Sequence, residues 1–246
     1  YCAFAKSHRT SKDKELINWE SNSAYLSLLV GRDRLDKLID INILKDGKKA
    51  IKINKDKVSK IGELFGSFNV VMFSPEDLKI IKDSPGIRRK FIDMELCQLN
   101  SRYYYNLVQY NKILNERNVL LKNRHLDIDV LDVYDVQLSE YGNNIIKDRI
   151  KYIKKLNFYG EGIHNDISSG KEKIEFQYIT GIKNLENIES EFYDLLKKNR
   201  KKDIEKGITT IGPHRDDFTV SLNGIDAKSF GSQGQQRSAV LTIKFS

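Results

Sequence analysis

Apolar and polar residues alternate from Ala24 to Val30, from Lys37 to Leu44 and from Ala50 to Asn54, the two-residue period of strands with one buried face. Turn formers at Gly31-Arg32-Asp33 and Asp46-Gly47 interrupt the alternation, so the three stretches predict an antiparallel meander. Phe68 to Phe73 is a nearly continuous apolar run of strand length between Gly66 and Ser74-Pro75, and predicts a strand covered on both faces.

In the middle of the chain the period changes. Leu107, Tyr110, Leu114 and Leu121 follow three-and-four spacing, as do Leu131, Tyr134, Leu138, Tyr141 and Ile145, with Ile146, Ile150 and Ile153 prolonging the second stripe. Two antiparallel helices joined around His125 to Asp129 would bring these stripes face to face in a coiled-coil-like hairpin. Leu185, Ile188, Phe192 and Leu195 predict a third helix, and Ile174, Phe176 and Tyr178 a strand before Gly181. Strand periodicity returns with Phe218, Val220 and Leu222 before Asn223-Gly224, a strong hairpin signal. Finally, a glycine-bearing loop at Phe230 to Gly234 opens a helix carrying Val240, Leu241 and Ile243.

Composition adds limits to this outline. A chain of 246 residues with 39% apolar content can bury a core, and no apolar run reaches the ~18 residues of a membrane span. Cys2 and Cys97 lack metal-ligand spacing, and a lone distant pair gives no disulfide framework, which points to a reducing cytoplasm. His8, His125, His164 and His214 are scattered, so no metal site is expected. The net charge of +8 favours an anionic partner, and it is uneven: residues 1–92 hold 19 basic and 12 acidic groups, whereas 93–206 balance at 19 each. A nucleic-acid surface and a lysine-rich coding bias explain this about equally well. Tyr1 in place of a Met, and apolar periodicity still running at Leu241 to Ser246, predict an internal piece of a longer sequence.

The densest chemistry is Gly231-Ser232-Gln233-Gly234-Gln235-Gln236-Arg237. A helix N-terminus carries roughly half a positive charge and several unpaired amides, so a phosphate is stabilised there without a lysine. Ser232 followed three residues later by Gln235 is also a capping box, the simpler reading on spacing alone, and the two readings are compatible. Thr210 to Asp217, with His214, Arg215, Asp216 and Asp217 in sequence, reads as a turn with a local ion pair. Phe73 to Leu78 reads as a strand end followed by an N-capped helix with Glu76 and Asp77 in its first turn. Lys6-Ser7-His8-Arg9 reads as a solvated loop, and Tyr103, Tyr104 and Tyr105 as core and rim residues of a helix start rather than a base-stacking platform. Arg88, Arg89 and Lys90 are candidate contacts to a DNA backbone, a solvated helix face being the alternative.

In this order, "KSHRT", "VVMFSPEDL", "PGIRRKFID", "GPHRDDF" and "FGSQGQQRSAVLTIK" closely resemble the RecF family over almost the whole chain. The resemblance implies an α/β fold, part of an ABC-type P-loop ATPase core similar to the heads of structural-maintenance-of-chromosomes proteins. Residues 1–92 and 207–246 would form the core lobe, and 93–206, roughly Asp93 to Lys206, an inserted helical lever. It implies that Ser232, Gln233, Gly234 and Gln235 form a signature loop contacting the terminal phosphate of ATP held by a partner subunit. Lys6 and Arg9 would face phosphates of ATP or DNA, and Glu76 and Asp77 would fall in the loop that senses magnesium and the attacking water. The glutamine typical of relatives is absent from that loop.

The same resemblance implies ATP and Mg2+ as cofactors and an ATP-dependent homodimer on double-stranded DNA beside single-strand gaps. RecR and RecO would be its partners in recombinase loading, with no membrane involved. The 246 residues contain no G-x-x-x-x-G-K-[ST] and no apolar strand ending in Asp-Glu, so alone they are expected not to turn over ATP, whereas the complete protein would be a slow ATPase. A non-enzymatic coiled-coil DNA-binding module, with the glycine loop merely capping a helix, is the alternative.

Overall fold

The computed structural model describes residues 1–7, 9–31, 36–123 and 125–246, in two compact units. The first comprises residues 1–71 and 97–101, and the second 72–96 and 102–246. His8, and Arg32 and Asp33 of the expected turn, lie outside the described residues.

The first unit is built on β1 (Ser23–Val30), β2 (Lys37–Leu44), β3 (Lys49–Ile53) and the short β4 (Asp56–Lys57), an antiparallel sheet in sequence order. The alternation dictates which face is covered. Ile39, Ile41 and Ile43 of β2 point the same way and are fully buried with Ile51, Leu64, Ala5 and Ile17. Each such side chain contributes roughly 1.5–3 kcal/mol when buried. On the other face Tyr25 and Leu29 stand in solvent, and Tyr25 and Ser27 both donate to the Asp40 carboxylate. Asp46-Gly47 closes the second turn, with Gly47 at φ +85°.

The expected strand at Phe68 to Phe73 does not form. The segment is unpaired coil, and Val71 and Phe73 are exposed. An apolar run states a preference for burial, but a strand also needs a neighbour's amides and carbonyls, and no neighbouring strand in the described residues supplies them.

In the second unit a one-turn helix, α1 (Lys79–Lys82), leads to α2 (Pro85–Leu99), whose last residues belong to the first unit, and to α3 (Ser101–Leu120). Next comes the 41-residue α4 (Ile128–Ser168), capped by Asp127, whose carboxylate accepts from the amides of Asp129 and Val130. The α3–α4 hairpin is antiparallel as the stripes require. Tyr103 meets Arg149, Tyr110 lies over Gly142 and Arg117 meets Asp135, so the partners advance by seven residues on one helix as they retreat by seven on the other. The third helix, α5 (Ile188–Lys206), packs on α4 and begins later than its stripe suggested. Leu185 lies in the preceding turn, which is held by the Glu191 carboxylate accepting from the amides of Lys183 and Asn184.

A second sheet joins β5 (Ile174–Ile179), β6 (Asp217–Leu222) and β7 (Ile225–Asp226). Asn223 and Gly224 both take positive φ, 50° and 79°, making the tight turn that Asn-Gly predicts. The chain ends in α6 (Ala227–Phe230) and α7 (Gln233–Phe245). Phe176, Phe218, Val220, Leu222, Ala239 and Ile243 are buried, and α4 packs on both β5 and α7. Within this unit α4 thus packs on elements that follow residue 206 as well as on those that precede it. No helix among the described residues is long and apolar enough to cross a membrane.

Candidate functional site

Ser232 is the N-cap of α7. Its Oγ accepts from the Gln235 amide at 3.2 Å, and Oε1 of Gln235 accepts from the Ser232 amide at 2.8 Å, so the capping box read from the sequence is present. The two glycines of the loop serve different ends. A Cβ on Gly231 would lie 2.6 Å from the Ala227 carbonyl oxygen, so this glycine lets the loop pass close over α6. A Cβ on Gly234 would meet only the Ser232 Oγ, at 3.9 Å, and nothing in the fold asks for glycine there. Gln236 is buried and donates to the Ala227 carbonyl at 2.9 Å, holding α7 on α6.

After the box forms, the amides of Gln233 and Gly234 have no acceptor among the described residues, because the first turn of a helix has none to offer. The Ser232 hydroxyl accepts within the box and keeps its proton to donate. Three donors are therefore left on an exposed segment with open surface at Gly234. Phe230 stands 76% exposed beside them.

Glu76 and Asp77 sit in a 3-10 turn at Pro75–Leu78 capped by Ser74. The Asp77 carboxylate accepts from the Ser74 amide at 2.8 Å and pairs with Lys244 at 3.5 Å, while Glu76 pairs with Lys79. Lys244 lies near the far end of α7, roughly 18 Å along the helix from the N-cap Ser232 at 1.5 Å per residue. Asp77 and Ser232 are thus held toward opposite ends of α7. Both acidic side chains are paired with lysines.

The basic candidates divide by burial. Arg88 is turned inward: its Nε and Nη2 donate to Asp217 at 2.7 and 2.8 Å, and its Nη1 to the Asp83 carbonyl at 2.9 Å. Its donors are engaged with a partner 129 residues away and it is only 6% exposed. Arg89 is half-buried and donates to the Asp216 carbonyl; burial, then the cations of Arg149 and Arg215, lower its pKa. Lys90 is exposed. Lys6 and Arg9 are exposed in the first unit, where the Ser7 hydroxyl accepts from the Arg9 amide.

Residues 212–217 are more than the local turn that their polarity suggested. His214 bonds the Tyr110 hydroxyl at 2.7 Å and the Thr209 carbonyl at 3.0 Å, Asp216 accepts from the Tyr178 hydroxyl at 2.7 Å, and Arg149 donates to the Pro213 carbonyl at 2.7 Å. Burial pushes the Asp216 carboxyl up to about 6, against the opposing pull of Tyr178 and Arg149. Burial likewise pushes His214 down to about 4, despite its bond to the Thr209 carbonyl. The ion pair of this segment joins Asp217 to Arg88, with no sequence signal short of knowing the fold.

No protein-family model matches the chain. Among curated relatives, the DNA replication and repair protein RecF of Clostridium perfringens (strain SM101) is 66% identical over 245 residues, spanning 100% of this chain and 68% of the relative. RecF of Clostridium botulinum (strain Alaska E43) is 67% identical over 246 residues with the same shares. Of solved structures, one described as the recombination mediator protein RecF-ATP in the RecFOR pathway superposes with a TM-score of 0.92 at 36% identity, covering 99% of this chain and 67% of that one. Its counterpart with ATPrS gives 0.91 at 37% identity. Identity of this extent, over the whole chain and with the same mixed α/β fold, shows that the chain belongs to the RecF family.

Proposed function

We propose that this chain supplies the signature half of an ATP sandwich, in which Ser232, Gln233 and Gly234 receive the terminal phosphate of ATP held by a second copy. The observation that carries the reading is the trio of unspent donors at the start of α7 beside a glycine the fold does not require. A phosphate oxygen fits them: it is acceptor-only, negatively charged and favoured by the helix dipole. A bulkier residue at 234 would stand where the phosphate approaches. The placement of Asp77 toward the other end of α7 supports an arrangement in trans, since a sensor loop at 76–77 and the signature loop of one chain would serve two nucleotides. Magnesium and hydrolysis would depend on groups that these 246 residues do not carry.

In this reading the protein acts in the cytoplasm in recombinational repair, gripping duplex DNA beside single-strand gaps as an ATP-dependent dimer and working with RecR and RecO in recombinase loading. Arg88, Arg89 and Lys90, of which Lys90 is the exposed one, are the candidates for the DNA backbone, and Lys6 and Arg9 for a nucleotide or DNA phosphate. Residues 93–206 would act as the lever.

The test is Ser232→Arg in a protein of the relatives' full length carrying this sequence. A helix that has only lost its cap is destabilised by about 1 kcal/mol and dimerises as before. A blocked sandwich leaves each copy binding ATP yet monomeric by light scattering with ATP and magnesium. A folded Ser232→Arg protein that dimerises as strongly as the parent would leave Ser232 as a cap and sink the sandwich.

A further inference from the structure

Glu172 lies between the end of α4 and the start of β5, outside every motif that drew notice in the sequence. One carboxylate oxygen accepts from Nε2 of Gln235 at 2.9 Å, and the other lies 3.3 Å from Nε2 of His164, which is fully buried. A glutamine amide is nearly symmetric in shape and can present either its oxygen or its NH2 to a given side. A carboxylate only accepts, so Gln235 must turn its NH2 toward Glu172. That turn sends Oε1 to the Ser232 amide, 2.8 Å away. With the amide reversed, two donors would face each other and the capping box would open.

The second oxygen lies 3.3 Å from Nε2 of His164. Nδ1 of the same ring lies 2.8 Å from the Thr242 hydroxyl, which itself donates to the Ser238 carbonyl at 3.0 Å. Thr242 is on α7, two turns beyond Gln235. Gly160, one turn before His164, lets the helices approach: a Cβ there would lie 3.3 Å from both the Thr242 methyl and the Ser246 hydroxyl. The end of α4 therefore holds α7 at two points, directly at Thr242 and through Glu172 at Gln235.

We infer that Glu172 is a positioning residue for the signature loop, fixing the orientation of Gln235 and so the placement of Ser232 and its neighbouring amides. The inference rests on the sandwich reading above and adds what holds the loop ready for a partner's phosphate. It also makes the end of α4 and the phosphate-receiving loop one mechanical unit.

The experiment uses the full-length protein with four substitutions: Glu172→Ala, Glu172→Gln, Thr242→Val and, as reference, Ser232→Arg. ATP titration of the monomer, ATP-dependent self-association and a melting curve are measured for each. Glu172→Ala is expected to bind ATP normally and to dimerise roughly tenfold to a hundredfold more weakly, the range for a lost hydrogen bond to a charged group. Glu172→Gln is expected to restore dimerisation, because its amide oxygen still accepts from Gln235. Thr242→Val loses the other tether and is expected to melt lower yet dimerise as the parent does, which separates loop placement from general stability.

Dimerisation of Glu172→Ala at parental strength overturns the inference, as does a Glu172→Gln protein as weak as Glu172→Ala, which would make charge and not orientation the cause. The sandwich itself is judged independently, by Ser232→Arg alone. Should Glu172→Ala not fold, Glu172→Met, which keeps the bulk and removes both acceptors, is read by the same two outcomes.

Discussion

Residues 212–217 and residues 231–235 are alike on paper, each a short polar run with a glycine ahead of a regular element, and in the structure they are opposites. In the first, His214, Asp216 and Asp217 each find partners on distant elements, and Gly212 is walled in by Tyr110 and Phe192. In the second, Ser232 and Gln235 cap each other, Glu172 holds the Gln235 side-chain amide, and two amides and a hydroxyl proton are left on an exposed segment. Polar residues whose donors are spent inside the protein hold a scaffold. Polar residues whose donors remain unspent at the surface are the ones a ligand can use. Composition does not distinguish the two cases; the bookkeeping of hydrogen bonds does.

The sharpest way to break this comparison is one substitution made at both glycines. Gly212 has φ +122°, and a Cβ there would lie 2.5 Å from the Tyr110 hydroxyl and 2.6 Å from Cζ of Phe192. Gly212→Ala thus combines a backbone conformation that L-residues avoid with overpacking of a buried aromatic pair, and is expected to cost about 3 kcal/mol or more. Urea denaturation gives the number. A loss below about 1 kcal/mol would mean that the segment yields easily and is no scaffold.

Much of this architecture is legible in the sequence. Two-residue alternation locates β1, β2, β3, β5 and β6, Asn223-Gly224 locates the hairpin, three-and-four spacing locates α3 to α5, and Ser232 with Gln235 announces the cap. These signals are local: the residues that decide them lie within a few positions of each other. What stayed hidden is long-range. Arg88 reads as a surface cation because its partner Asp217 is 129 residues away, Phe68 to Phe73 reads as a strand because the run cannot reveal whether a neighbour exists, and Glu172 carries no local pattern at all.

A second, smaller effect sharpens the scaffold side. Asp216 keeps its proton in the folded state up to about pH 6, whereas the unfolded chain releases it near 3.8, so this group makes stability fall as pH rises through that window. His214 does the reverse: the unfolded imidazole is protonated below about 6.5 and the folded one only below about 4, so its contribution rises with pH over nearly the same range. Each slope is at most about 1.4 kcal/mol per pH unit, and in the parent the two oppose. Asp216→Asn is expected to expose the His214 slope, with stability climbing from pH 4 to 6.5. His214→Gln is expected to expose the Asp216 slope, with stability declining from pH 4 to 6. Denaturation free energies across this range would count against the buried, coupled site if both variants kept the parent's pH dependence.

The smallest effect on stability is expected at the second glycine of the signature loop, and it is the most telling. Gly234 lies in the first turn of α7 at ordinary negative φ, and a Cβ would touch nothing closer than the Ser232 Oγ at 3.9 Å. Gly234→Ala should therefore leave the melting transition unchanged or raise stability by up to about 1 kcal/mol, since alanine is the better helix former and reduces the freedom of the unfolded chain. The capping box and the free amides remain. What changes is the surface over which a phosphate would approach. In the full-length protein the same methyl group is expected to weaken ATP-dependent dimerisation while ATP binding by each copy is unaffected. A variant that folds better and dimerises worse separates the two roles of glycine in this chain: Gly212 is there for the fold, and Gly234 for what docks on it. Parental dimerisation by Gly234→Ala would show that the open surface is incidental, and the case for the loop would then rest on Ser232 alone.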